Sequence, residues 1–291
     1  MKDAITRHIE SNDLMSTTQH GFRSGRSVQT NMIEFMNQMT KWLDEGKSFD
    51  ILYLDFAKAF DKVCHERILL KLESVGIGGK VLRWLKDWLS GRRQRVGVDG
   101  AYSGWEAVVS SVLQGSVLGG VLFNIFIDDI DEGACSGDDN DGIVRKFADD
   151  TKIARIVECR EDGERMQEQI NEVLKWANTW EMQFNVKKCK VLHCGRNNPR
   201  TSYTMGGVEL GQAKEERDLG IIIDETLKPS RQCAAAAKAE NYALGQLLRA
   251  FHFRKKANLI PLFKTFVRPR LEFAAAAWSP WTEVDVKPML M

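Results

Sequence analysis

Two strand-like runs separated by only two acidic residues place the strongest constraint on how this chain can fold. Residues 143–148 and 151–157 are mostly apolar, and Asp149 and Asp150 alone stand between them. A two-residue separation between such runs is typical of a tight β-hairpin. The sequence therefore predicts a hairpin with an acid pair at its tip, where the flanking strands hold both carboxylates in fixed geometry.

A third acidic residue lies at the end of a different predicted strand. Residues 49–54 are apolar apart from Asp50, and so short a run favours a buried strand that leads directly into Asp55. Transfer of a nucleotide to a primer needs two divalent ions roughly 3.5–4 Å apart, and such hard ions bind carboxylates. Asp55, Asp149 and Asp150 are therefore the candidate ligands for Mg²⁺ or Mn²⁺.

Two other Asp-Asp pairs compete with the pair at 149–150. The pair at 128–129 follows an apolar helix, where an exposed capping or loop role is the simpler interpretation. The pair at 138–139 follows a glycine and imitates a Gly-Asp-Asp motif, but it lies in an acidic, glycine-rich loop at 131–142. Only the pair at 149–150 has strand-like runs on both sides, so we favour it.

Overall charge does not mark this chain as a binder of nucleic acid, because its formal net charge is only +1. Any site for a polyanion must depend on local basic clusters, and each of these is equally compatible with a solvated surface. The candidate clusters are Arg92, Arg93 and Arg95; Lys187, Lys188 and Lys190; and Arg249, Arg254, Lys255 and Lys256.

The chain has the composition of a folded globular protein, with 43% hydrophobic and 28% charged residues. It contains no run of roughly 20 uncharged apolar residues, the length that a membrane helix needs. The N-terminal residues lack the apolar run of a secretory signal. We therefore expect an intracellular protein of the nucleus or cytoplasm that is not secreted and does not span a membrane.

Apolar periodicity predicts the other elements of the fold. Helices are predicted at 31–43, 66–73, 80–89, 117–127 and 164–180, and strands at 96–98, 107–112, 190–193 and 220–223. The last part of the chain is predicted to be helical and alanine-rich at 230–249 and 259–277.

Several ordered blocks resemble the reverse transcriptases of non-LTR (LINE-type) retrotransposons, especially jockey-like and related vertebrate elements, from about Ile9 to about Pro280. The blocks are 19–23 (QHGFR), 55–61 (DFAKAFD), 114–124 (beginning QGSVLG), 147–151 (FADDT), 185–188, 218–220 (DLG) and 262–278. Several blocks in the right order are far more specific than any one of them.

The resemblance implies an α+β fold of the right-hand polymerase type, with fingers, an antiparallel palm sheet and a helical thumb. It divides the chain into a fingers remnant (1–48), the palm with its first catalytic strand (49–63), an inserted fingers segment (64–114), the rest of the palm (115–228) and a helical thumb-like region (229–291).

The resemblance also implies roles in catalysis. Asp55 and Asp149 would bind the metal ions, and Asp150 would support them. Lys188 matches a lysine proposed to protonate the leaving pyrophosphate, with a solvated surface lysine as the alternative.

Contacts to the nucleotide or template are implied for Phe56, Phe60, Gln114, Gly115 and Arg23. Phe60 would be the steric gate, a ring beneath the sugar that excludes the 2′-hydroxyl by shape, and ordinary core packing is the alternative. Gln114 would lie against nucleotide and template, and Gly115 would let the backbone approach closely. Arg23 would contact the template or the fingers, unless it makes a simple salt bridge.

The chain departs from the family pattern in the loop around Gln114. Ser111-Val112-Leu113 stands where the family usually has Gly-Val-Pro, and Gly120 stands where proline is common. Proline fixes the direction of the chain, so its loss is expected to loosen this loop. The two departures suggest that the chain comes from a decaying copy of such an element. The fingers strands that grip the triphosphate would precede Met1, so we expect an N-terminally truncated protein.

Two functions follow from the resemblance and its departures. The first is an RNA-directed DNA polymerase that extends a DNA primer 3′-hydroxyl with deoxynucleoside triphosphates on an RNA template, by a two-metal mechanism. The alternative is a catalytically inactive, retrotransposon-derived fragment with residual nucleic-acid binding.

Overall fold

The computed structural model describes residues 1–132, 141–251, 255–280 and 282–287. Helices α1 to α11 are Lys2–Ser11, Val28–Asp44, Ala59–Lys62, His65–Ser74, Gly79–Leu89, Gly119–Ile127, Arg160–Trp180, Ser230–Ala250, Lys256–Leu262, Arg268–Glu272 and Glu283–Val286. Strands β1 to β13 are Phe49–Leu54, Arg93–Gln94, Gly97–Val98, Ala101–Tyr102, Glu106–Ala107, Gly142–Phe147, Asp150–Ile156, Lys190–Cys194, Thr204–Met205, Val208–Glu209, Gly211–Ala213, Glu215–Asp218 and Ile221–Asp224.

A five-stranded sheet of order β11-β8-β1-β7-β6 forms the centre of the described part of the molecule. Strand β1 pairs antiparallel with both β7 and β8, and β7 pairs antiparallel with β6. The edge strand β11 joins β8 in parallel, so the sheet is mixed rather than wholly antiparallel as predicted.

Strand β1 is buried on both faces because its apolar side chains alternate between two cores. Leu52 and Leu54 enter a core that α4, α5, α6 and α7 cover. Phe49 and Ile51 enter a second core on the opposite face, which α2 and α8 cover. A strand buried in this way reads as a continuous apolar run, which is why its bounds could be predicted correctly.

Two helices begin earlier than apolar periodicity predicts because polar side chains cap them. The Ser27 side chain accepts a hydrogen bond from Thr30 N (3.2 Å), so α2 begins at Val28 rather than at residue 31. The Asp162 carboxylate accepts from Cys159 N (3.1 Å), and α7 begins at Arg160 rather than at residue 164.

The predicted strand at 107–112 is wrong beyond its first residue. β5 ends at Ala107, and the chain then runs beside the segment after β1, where Ser111 N donates to Val63 O (2.8 Å) and Val112 N donates to Phe60 O (3.0 Å). These partners belong to a short helix and its C-terminal end, and beyond β5 this described segment forms an isolated bridge between Ser110 and Cys64 rather than a ladder.

The predicted continuous helix at 259–277 is interrupted. Helix α9 gives way to a π-helical turn at Phe263–Val267, and α10 ends at Glu272. Pro261 and Pro269 lie in this region, and a proline supplies no backbone N–H to the helical ladder. No described helix is both long and apolar enough to cross a lipid bilayer.

Candidate active site

A clamp made by a buried glutamine holds the hairpin that carries the acid pair. Phe147 and Asp150 face each other at the ends of β6 and β7, so Ala148 and Asp149 form the turn. Ala148 adopts φ +56°, a left-handed conformation that is uncommon for a residue other than glycine. The side chain of Gln19 compensates, because its Oε1 accepts from Ala148 N (2.9 Å) and its Nε2 donates to Ala148 O (3.3 Å).

The same glutamine ties the hairpin to the turn that contains Gly21. Gln19 Oε1 also accepts from Gly21 N (2.8 Å). A Cβ on Gly21 would lie 2.4 Å from Ala148 N, so only glycine fits against the turn of this hairpin. Gln19 was missed as a site residue by the sequence reading, although its position in the QHGFR block was a signal that could have found it.

Strand pairing brings the third acid to the hairpin. Leu54 faces Thr151, and the same register continued by one residue sets Asp55 beside Asp150. The backbone of Asp55 is held on its other side, where its carbonyl accepts from Asn185 N (2.7 Å) and its N–H donates to Cys189 Sγ (3.4 Å).

The three carboxylates lie within range of one another's charge. Partial desolvation raises the pKa of Asp149, and the charge of Asp55 raises it further. Desolvation also raises the pKa of Asp150 to about 6, with further contributions from Asp149, Asp218 and Asp55. Carboxylates that lie close together despite desolvation and mutual repulsion are typical of a site that binds a cation.

The donor set fits a hard divalent ion, although it does not form a closed cage. Mg²⁺ takes only one or two protein carboxylates and completes its shell with water and phosphate oxygens. Among the residues that the structure describes, no three acidic, histidine or cysteine side chains converge on one point as a finished metal site. The acids are therefore fixed on neighbouring strands but still open towards a ligand.

A cleft beside these acids also contains basic groups. Asp55, Asp150, Lys188 and Asp218 line it. Lys188 Nζ lies 3.9 Å from Asp55 Oδ2, and its side chain is 68% exposed. The structure thus brings Lys188 to the predicted catalytic acid and leaves it accessible to a ligand.

The two aromatic residues predicted to contact the nucleotide differ in burial and in packing partner. Phe60 is half-buried, and its ring stacks on Phe123 at a centroid distance of 4.2 Å. Phe56 is only 7% exposed and stacks on Phe184 at 4.3 Å. The ring of Phe56 belongs to the core, and its contact with the nucleotide remains a prediction.

The remaining predicted contacts lie in loops. Gln114 and Gly115 are exposed, and Gly115 adopts φ +78°, which favours glycine. The Ser116 hydroxyl closes this loop by donating to Leu113 O (2.7 Å). Arg23 donates from Nη1 to Ser16 O (2.5 Å). These contacts explain how the loops are built, and the nucleotide and template roles remain predictions.

The competing acid pair at 128–129 is occupied by structural contacts. Asp128 accepts hydrogen bonds from Ser16 N at 3.1 and 3.0 Å, and Asp129 pairs with Lys71 and accepts from Trp176 Nε1 (2.7 Å). The expectation of an exposed cap or loop is therefore wrong in burial, since these side chains are only 19% and 28% exposed. The pair at 138–139 lies outside the described residues.

Gly120, which departs from the family pattern, makes room for a neighbouring ring. A Cβ at position 120 would lie 2.6 Å from the Phe22 ring. Phe22 adopts φ +51° and is 59% exposed, and its ring meets Phe60 edge-on at 6.4 Å. Glycine at position 120 therefore leaves room for the Phe22 ring.

We predict that the effect of Gly120→Ala on stability differs between two backgrounds. In Phe22→Ala protein it should stabilise by about 0.5–1 kcal/mol, because alanine is the better helix former at the start of α6. In wild-type protein the clash with Phe22 should cancel or reverse that gain. Urea unfolding of the four proteins measures the difference, and equal effects in both backgrounds would contradict the packing explanation.

The amino-acid sequence of the chain is similar to a family profile and to individual known proteins. A family profile described as "Reverse transcriptase (RNA-dependent DNA polymerase)" matches residues 1–223. The RNA-directed DNA polymerase from mobile element jockey of Drosophila funebris is 27% identical over 266 residues, which are 88% of this chain and 29% of that protein. The probable RNA-directed DNA polymerase from transposon X-element of Drosophila melanogaster is 25% identical, over 97% of this chain and 32% of that protein.

Solved structures of low sequence identity share the fold. Candida tropicalis telomerase in complex with a fragment of telomeric RNA superposes with a TM-score of 0.55 at 11% identity, over 99% of this chain and 49% of that chain. A truncated apo form gives 0.54 at 12% identity, over 78% of this chain and 43% of that chain. The present chain spans about a third of the length of the curated relatives it matches.

Proposed function

Because this chain belongs to the reverse transcriptase (RNA-dependent DNA polymerase) family, we propose that it extends a DNA primer with deoxynucleoside triphosphates on an RNA template. The family predicted from the motif blocks is confirmed, and so is the α+β fold of the right-hand polymerase type. The activity of the chain itself is the step that we propose.

One observation supports the proposal more than any other. The pairing of β1 with β7 sets Asp55 beside Asp150, the residue that follows Asp149 of the turn. Acids nearly 100 positions apart in sequence thus come together, and the charge of Asp55 raises the pKa of both Asp149 and Asp150. Acids on rigid, neighbouring strands are what a polymerase needs in order to fix two ions relative to a primer end.

We assign Asp55 and Asp149 as metal-binding residues and Asp150 as their support. When bound, Mg²⁺ or Mn²⁺ activates the primer 3′-oxygen and stabilises the leaving phosphates. Lys188 contributes a proton donor at its Nζ, next to Asp55, for the leaving pyrophosphate. Asp55, Asp150 and Lys188 line the cleft, and Asp149 precedes Asp150 at the turn of the hairpin.

The remaining residues orient the nucleotide and template in this proposal. Phe60 presents its ring to the sugar and excludes the 2′-hydroxyl, with Phe123 stacked behind it to hold the ring in place. Gln114 and Gly115 contact the incoming nucleotide and template from their exposed loop, and Arg23 contacts the template. In this proposal, primer extension takes place inside the cell, in the nucleus or cytoplasm.

The proposal assigns the parts of a polymerase hand as the sequence suggested. Fingers occupy 1–48 and 64–114, the palm occupies 49–63 and 115–228, and the helical region from 229 corresponds to the thumb. This division keeps β1, β6, β7 and β8 together in the palm, so the acids and Lys188 lie on one subdomain.

Primer extension on an RNA template tests the proposed function. Purified protein, an RNA template with an annealed DNA primer, all four deoxynucleoside triphosphates and Mg²⁺ should give extended primer. Asp149→Asn should abolish the product, because it removes one of the metal-binding carboxylates. Absence of product with the wild-type protein would overturn the proposal in favour of an inactive fragment, and product that survives Asp149→Asn would refute the assigned site.

A further inference from the structure

An exposed hairpin between α5 and the Gln114 loop has no role in the chemistry described so far. Its two ladders, β2 with β5 and β3 with β4, are exposed at every residue. The tip is formed by Asp99 and Gly100, which both have positive φ, as a tight two-residue turn requires. We name residues 92–109 the arginine-aromatic hairpin.

The three arginines of this hairpin have different surroundings, a difference that the sequence alone did not show. Arg92 is used internally, because its Nη2 donates to Ser111 O (2.7 Å) and its Nε donates to Leu89 O (3.1 Å). Arg93 and Arg95 are exposed, and no carboxylate within the described ranges lies at ion-pair distance from either.

The two exposed arginines lie against exposed aromatic rings. The Arg95 guanidinium carbon lies 4.0 Å from the centroid of the Tyr102 ring and 4.7 Å from that of Trp105. Arg93 lies 5.8 Å from the Trp105 ring. Tyr102 and Trp105 remain 63% and 51% exposed, so each ring keeps accessible surface beside a cation.

The hairpin is continuous with the proposed active site. Its returning arm runs beside the gate residue, where Val112 N donates to Phe60 O (3.0 Å), and then leads into Gln114. A short segment of chain therefore joins the hairpin to Gln114, and this segment is hydrogen-bonded to the proposed gate residue Phe60.

We propose that the arginine-aromatic hairpin binds single-stranded RNA, with bases stacked on Trp105 and Tyr102 and phosphates paired with Arg93 and Arg95. This proposal rests on the proposed function, since it identifies the strand as the template. Alternating cations and rings are the chemistry that binds single strands without reading sequence. A protein partner fits less well, because two guanidinium groups without carboxylate partners would be costly to bury in an apolar interface.

Equilibrium binding of a fluorescein-labelled, unstructured 20-nucleotide RNA to the full chain tests the proposal. The measurement is fluorescence anisotropy in EDTA without deoxynucleoside triphosphates, so its result does not depend on catalysis. Trp105→Ala should weaken binding about 5- to 100-fold, the usual range for loss of one stacked base. Arg95→Ala should weaken it by a similar factor, and Arg95→Lys should recover only part of the loss because lysine lacks the planar stack.

Arg165→Ala is the matched control, since Arg165 is an exposed arginine on α7 whose Nη1 lies 3.8 Å from Asp162. It should bind RNA as the wild type does. Thermal melting should be unchanged in all variants because the hairpin side chains are exposed. A 4-thiouridine in the RNA should also cross-link to peptides of the hairpin.

The outcomes separate the two proposals. If the wild type extends no primer yet binds RNA through Trp105 and Arg95, the polymerase proposal fails and the RNA-binding hairpin stands. If Trp105→Ala and Arg95→Ala bind RNA as tightly as Arg165→Ala, or if the wild type does not bind RNA, the hairpin proposal is overturned and the surface becomes a candidate for binding protein.

Discussion

Asp55→Asn should reduce primer extension at least about a thousandfold and leave the protein as stable as the wild type or more stable. Loss of one metal-binding carboxylate removes several kcal/mol of transition-state stabilisation, and roughly 4 kcal/mol corresponds to a factor of about a thousand. Stability should not fall, because the charge of Asp55 raises the pKa of both Asp149 and Asp150 and its removal relieves that repulsion.

A large loss of primer extension without a loss of stability distinguishes a functional acid from a structural one. Primer extension and thermal melting are measured on the same preparation, without metal for the melting experiment. Asp87→Asn is the matched control, since Asp87 is an exposed acid on α5, and it should change neither quantity. A large drop in melting temperature with Asp55→Asn would show that its loss of activity is structural, and extension at the wild-type rate would remove Asp55 from the site.

Lys152→Ala should destabilise the folded protein by about 3–5 kcal/mol, the largest loss of stability that we expect from any single change near the site. Lys152 is 3% exposed and pairs with Asp218, which is 6% exposed. Its Nζ also lies 4.3 Å from the Phe35 ring centroid and 3.3 Å from Met32 Sδ. Burial lowers the pKa of Lys152, and Asp218 opposes this change.

The cost arises because Lys152→Ala leaves the Asp218 carboxylate buried without its cation. Replacing both members, as Lys152→Met with Asp218→Leu, should bring stability back to within about 1–2 kcal/mol of the wild type, since an apolar pair carries no unpaired charge. Urea unfolding of Lys152→Met, Asp218→Leu and the double variant measures the coupling. Additive losses in the double variant would contradict the description of a buried, mutually dependent pair.

Lys175→Ala provides the control for the lysine substitution itself. Lys175 is 74% exposed and lies 3.3 Å from Glu172 on α7. Exposed pairs of this kind contribute less than about 1 kcal/mol, so the variant should unfold close to the wild type. The contrast between the two lysines would show that burial, rather than the presence of an ion pair, sets the size of the effect.

The buried pair also illustrates what the sequence reading missed. Lys152 interrupts an apolar run two residues after Asp150, and Asp218 opens the DLG block, but nothing local connects them. In the structure Asp218 lies close enough to Asp150 to raise its pKa. The pair therefore fixes the DLG segment against the catalytic strand, and this contact depends on the register of strands that are far apart in sequence.

The sequence by itself determined the elements on which the acids lie. The bounds of β1 and the presence of the hairpin could be predicted because strand burial and two-residue turns leave a signal in neighbouring residues. The predicted turn was wrong by one residue, since Ala148 and Asp149 form it and Asp150 begins β7. The family could be predicted because its blocks keep their order along the chain. These are properties of local segments, which do not depend on how the segments pack.

Only the tertiary structure decided which residues support the acids and which are packed in the core. The clamp from Gln19 to Ala148 joins residues 129 positions apart, and the displacement of Phe56 into the core depends on Phe184 from a distant loop. Such contacts are set by the packing of several elements at once, because a buried polar group must find its partner wherever the fold brings one. The same reason explains why Arg92 is internal while Arg95, three residues later, lies exposed beside two aromatic rings.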